Sequence, residues 1–107
     1  MSKYNNIGIA YFTNPAMENE PFGKEVDGIM TTIGRLGEIP VRKVDTYKDV
    51  TMVEQMKPQN VPSLVFTNLD GTERHIYIEG NDLQGITVEK VMDQVKAIDR
   101  YNKTGKV

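Results

Sequence analysis

The chain opens on an apolar run that does not alternate: Ile7, Ile9, Tyr11 and Phe12 fall within NIGIAYF, a short stretch rich in β-formers. That pattern predicts a first strand buried on both faces. From Phe22 the period changes. Phe22, Val26, Ile29, Met30, Ile33 and Leu36 recur at steps of three and four, the stripe of a helix packed on a sheet, and Gly37 closes it. Asn19 is expected to cap this helix, with Glu20 and Pro21 in its first turn, because early helical positions lack N–H partners and favour negative charge.

Val41 and Val44 in IPVRKVD predict a second strand, parallel to the first because a helix lies between them. Val50, Val53 and Met56 predict a short helix ending near Lys57, since Pro58 disfavours helical geometry in the residue before it. SLVFT predicts a third strand, NLDG a turn with Gly71 available for positive φ, and TERHIYIEG a fourth strand returning antiparallel. After a loop through Asp82 and Gly85, Thr87 is expected to cap a last helix striped by Val88, Val91, Met92, Val95, Ile98 and Tyr101. The predicted order is βαβαββα: an α/β fold with a central mixed four-stranded sheet and helices on both faces. With 107 residues, one core must serve the whole chain, so 1–107 is expected to be a single domain with about 103–107 as a frayed tail.

Composition narrows the functional classes. A formal net charge of −2 provides no overall field to attract nucleic acid or an anionic membrane. No run approaches the roughly 18 apolar residues that span a bilayer, and no basic segment leads into a long apolar one. The expected location is cytoplasmic, with no nucleic-acid or membrane partner. Cysteine is absent, which removes disulfides, thiolate nucleophiles and cysteine metal sites in one step. The single His75 excludes a multi-histidine metal site within one chain.

The residues NVPSLVFTNLDGTE carry a resemblance to the thioredoxin family, in which an apolar residue and a cis-proline precede a strand, a polar glycine turn and the next strand. Pro62 matches that proline. Phe22, Val26, Ile29 and Ile33 fall where the family's first long helix places core residues, Asp45 follows the next strand as an Asp does in the family, and Gly80 resembles the glycine beside the cis-proline loop. The resemblance covers nearly the whole chain and implies a thioredoxin-like fold. In its register Ala16 and Asn19 stand where the family has the two cysteines of CxxC, with Met17 and Glu18 between. Neither a methyl group nor a carboxamide forms the mixed disulfide that dithiol exchange requires. Ala10 and Val41 stand where the family has a buried acid and a neighbouring buried lysine. Exchanging such charges for hydrocarbon fits a protein without thiol chemistry to serve, because burying ions is costly.

The remaining polar residues have plain readings. His75 lies on an alternating strand with no nucleophile near it in sequence and reads as a surface residue. Glu18, Glu20, Glu25 and Asp27 read as helix-start and solvated-face charges rather than a metal site. Asp45, Asp49 and Asp70 suit caps and turns. Of the six Met residues, Met17 alone falls outside core spacings, and a flexible thioether in a proline-containing loop suits contact with a partner.

These readings converge on a redox-inactive protein-binding or adaptor domain with no catalytic residue and no cofactor. The resemblance brings three loops together as its contact surface: Thr13, Asn14, Pro15, Ala16 and Met17; Val61 and Pro62; and Glu79, Gly80 and Asn81. The expected partner is a protein or extended peptide segment, pairing with the Val61 backbone as a short added strand. Two alternatives stand beside it: a structural or assembly component that self-associates as a homo-oligomer, and a glutathione-binding enzyme using the hydroxyl of Thr13 or Tyr11.

Overall fold

The first strand, β1 (Ile7–Thr13), is buried at six of its seven positions and forms part of the middle of a four-stranded sheet. A computed structural model describes residues 4, 7–68 and 74–104. The sheet order is β2 (Val41–Asp45), β1, β3 (Ser63–Asn68), β4 (Arg74–Glu79). β1 runs parallel to β2, with Ile9 beside Val41 and Thr13 beside Asp45, and antiparallel to β3, with Ile7 beside Asn68 and Phe12 beside Ser63. β3 and β4 pair antiparallel from Ser63–Glu79 to Asn68–Arg74. The mixed α/β architecture read from hydrophobic periodicity is therefore present.

The helices are α1 (Pro15–Glu18), α2 (Pro21–Leu36), α3 (Val50–Met56) and α4 (Val88–Thr104), with a 3-10 turn at Gly80–Leu83. The short α1 is an addition to the sequence reading, and it corrects the assignment of Asn19. Two prolines each occupy a first helical turn, so the segment makes two helix starts rather than one. Asn14 caps α1 by accepting the Met17 N–H at 2.8 Å, and at the other end the Asn19 N–H donates to the Ala16 carbonyl and the Glu20 N–H to that of Met17. Glu20 then takes the N-cap of α2, where its side chain makes no capping bond. α2 ends at Gly37, and Thr87 caps α4 by accepting the Lys90 N–H at 3.1 Å.

Odd-numbered side chains of β1 enter the larger core. Ile7, Ile9 and Tyr11 meet Val26, Met30 and Ile33 of α2 and Val91, Val95 and Ile98 of α4. The other face is thinner. Ala10, Phe12, Val44 and Val65 are buried there under the half-buried Met52, Val53 and Met56 of α3, which has no fully buried residue of its own. A groove of about 300 Å³ stays open between α3 and the sheet, lined in part by Ala10, Met52 and Met56. Ala10 and Val41, expected to replace a buried ion pair, pack in different cores: Ala10 in the smaller, Val41 against the larger.

Helix α4 continues to Thr104, and Lys103 pairs with Asp99 one turn earlier at 3.0 Å. Residues 105–107, the proposed turn at Asp70 and Gly71, and the side chain of His75 lie outside the described residues.

Candidate binding site

The ends of β1 and β3 assemble the site. Because Phe12 pairs with Ser63, the chain leaves β1 at Thr13 beside the point where Pro62 enters β3. The Val61–Pro62 peptide bond is cis. The Gly80 N–H donates to the Pro62 carbonyl at 2.9 Å, which brings the end of β4 to the same place. Gly80 has φ +54°, and a side chain there would meet Asn60 at 3.3 Å, so both conformation and space favour glycine. The three predicted loops thus come together at one end of the sheet.

Their members differ in what they offer. Pro15 and Ala16 are exposed, Met17, Asn14 and Val61 half-buried, and Asn81 exposed. Thr13 and Pro62 are buried, Thr13 at 1% exposure, so neither side chain presents a contact face. The Thr13 hydroxyl and that of Ser63 are both buried without a hydrogen-bond partner. Glu79 is engaged within the chain: its Oε2 accepts the N–H groups of Gln59 at 2.6 Å and Asn60 at 2.9 Å. That carboxylate clamps the approach to Val61. Among the described residues, the N–H and C=O of Val61 itself carry no hydrogen bond.

Beneath the α1 loop lies a polar cluster the sequence reading did not anticipate. Lys43 of β2 sends its Nζ to Glu18 Oε1 at 2.6 Å and to Asp27 Oδ1 at 3.0 Å, and the Tyr11 hydroxyl donates to Asp27 Oδ1 at 3.3 Å. Glu18 and Asp27 are thereby partnered rather than simply solvated. Hydrogen bonding to Glu18, then to Asp27, holds the Lys43 ammonium above the ordinary lysine range. Burial pushes the Tyr11 phenol up to about 12, and the Asp27 carboxylate adds to it. The Thr13 hydroxyl, near enough to ease that ionisation, makes no hydrogen bond of normal geometry. The signal for this cluster was the alternation of β2: Lys43 and Tyr11 are register partners and therefore share a face.

α1 and α2 touch at Gly23. A β-carbon there would stand 1.8 Å from the Met17 carbonyl oxygen, so the loop can lie against α2 only because residue 23 lacks a side chain. On the outer side of α1 a groove of about 460 Å³ is lined by Asn14, Ala16, Met17, Glu20, Phe22 and Tyr47. Among the described residues no group of three or more His, Cys, Asp or Glu is placed to hold a metal ion.

No family model and no curated protein sequence matches the chain. Solved structures do. A thioredoxin of Halobacterium salinarum, in a point-mutant form, aligns with a TM-score of 0.67 at 16% identity, over 87% of this chain and 74% of that one. Chloroplastic thioredoxin z aligns with 0.69 at 15% identity, over 89% and 80%. The Drosophila melanogaster germline thioredoxin Deadhead aligns with 0.62 at 16% identity, over 83% and 80%. Likeness at such low identity concerns the backbone path alone. Taken with the absence of cysteine from all 107 residues, it makes this chain a protein of thioredoxin-like fold that lacks the means for dithiol exchange.

Proposed function

We propose that this is a non-enzymatic, cytoplasmic protein-binding domain that receives an extended segment of a partner at the end of the sheet where β1, β3 and β4 converge. The observation carrying this reading is the free peptide group of Val61, held in place by the Glu79 clamp at the end of the sheet where the segment carrying Met17 leaves β1. A backbone donor and acceptor side by side suit pairing with an added strand, and neighbouring apolar side chains supply burial. Glu79 acts by fixing the loop, Thr13 and Pro62 by supporting it, and Asn14, Pro15, Ala16, Met17, Val61 and Asn81 by contact. Gly80 permits the close approach.

The test compares capture of a partner from the native host by the wild-type chain and by Val61→Asp and Met17→Ala. Both variants are expected to keep the fold by circular dichroism and to lose binding by about tenfold or more for Val61→Asp, as expected when a charge is forced into a contact of this kind. Undiminished capture by both variants refutes the surface.

A second reading, self-association, draws on the open groove beneath α3 and the thin cover of Phe12 and Val65 by that helix. Light scattering separates the two: a defined oligomer disrupted by Met52→Glu, with Val61→Asp silent, favours assembly.

A further inference from the structure

The partner segment's chemistry can be read from the outer groove of α1, and the inference rests on the binding reading above. Tyr47, in the loop between β2 and α3, is 64% exposed, and among the described residues its ring hydroxyl has no partner. It faces a groove floored by Ala16, Met17 and Phe22. Glu20 lines the same groove. It occupies the N-cap of α2 yet makes no capping hydrogen bond and no ion pair among the described residues, so its carboxylate is uncommitted. The neighbouring acid, Glu18, is already neutralised by Lys43. Lys24, one turn on from Glu20, and Lys48, next to Tyr47, are the nearest cations in sequence, and neither pairs with Glu20.

An exposed aromatic ring, an apolar floor and one free carboxylate together form a receptor of specific chemistry. We infer that this groove takes a basic side chain of the bound segment, lysine or arginine. Its hydrocarbon stem lies along Ala16, Met17 and Phe22, its charge meets Glu20, and its cationic end rests on the Tyr47 ring. Neither an acidic nor a purely apolar side chain satisfies all three features. Met17 lines this groove and belongs to the segment that leaves β1 beside the entry of Pro62 into β3, so the proposed segment would run from Val61 toward it.

The test uses ten-residue peptides on a Thr/Val host sequence, with lysine, norleucine or glutamate scanned through each position, titrated into the full chain and followed by NMR. One register of the lysine series is expected to bind about two- to fivefold more tightly than its norleucine counterpart, a size set by one partly exposed ion pair and a cation on a ring. Shifts should appear at Tyr47 and Glu20 as well as Val61. Glu20→Gln and Tyr47→Ala should each erase most of that preference, Tyr47→Phe should retain it, and added salt should reduce it. Equal binding of all three series, with shifts confined to Val61 and Gly80, overturns the basic pocket and leaves the binding reading standing. Absence of binding by every peptide overturns both.

Discussion

Two glycines of one helix show how differently the same residue is used. Gly28 of α2 has open space where a β-carbon would go, whereas at Gly23 that position falls 1.8 Å from the Met17 carbonyl oxygen. Gly28→Ala should therefore stabilise the protein by about 0.4–1 kcal/mol through helix propensity and a less disordered unfolded chain. Gly23→Ala should destabilise it by about 1–3 kcal/mol, since backbone rather than a flexible side chain must give way. Urea denaturation of both variants decides the matter, and equal changes would mean that α1 is not packed on α2 as described. Neither role was legible in the sequence. Gly23 falls on the buried face of α2 with Val26 and Met30 and Gly28 on the exposed face, but the contact that makes residue 23 intolerant comes from a loop six residues upstream, which helical periodicity does not place. Asn14 and Pro15 did carry a readable sign, a capping residue followed by proline, but Asn19 and Pro21 repeat the same kind of sign a few residues later and drew the cap to themselves.

At the level of elements, Lys43, Glu18, Asp27 and Tyr11 tie β2, α1, α2 and β1 into one unit. Its dependence on pH follows from direction alone. Folding raises the Tyr11 phenol from its usual 10.0 to about 12, so the native state holds that proton more tightly than the unfolded chain. The resulting stability is complete below pH 10 and is lost as pH rises toward 12. Lys43, also raised, acts with the same sign above its ordinary 10.5. A spectrophotometric titration should show a late-ionising phenol, and Tyr11→Phe should abolish that late step. Lys43→Met should leave it in place, because burial is the largest cause; disappearance of the step in that variant would assign it to the ion pairs instead. Strands and long helices were legible because their periods of two and three to four are written in apolar residues. This cluster was not, because charged residues at helix starts look solvated until register shows what lies across from them.

For the molecule as a whole, a thioredoxin-like fold is combined with a cysteine-free sequence, which bars dithiol exchange. As it stands the chain should reduce insulin no faster than background. Yet the backbone geometry at the α1 turn suits such exchange. The Asn19 N–H reaches the Ala16 carbonyl at 3.3 Å, the spacing of one helical turn, which by helix geometry sets α-carbons three apart at about 5 Å, inside the span a disulfide bridges. Both side chains are exposed there. The double substitution Ala16→Cys with Asn19→Cys should close into an intramolecular bridge on mild oxidation, seen as a loss of two hydrogens by mass spectrometry, whereas two thiols that persist would place the turn differently. Two side chains, rather than a change of architecture, thus separate this chain from one whose α1 turn would open and close a bridge with the redox state of its surroundings.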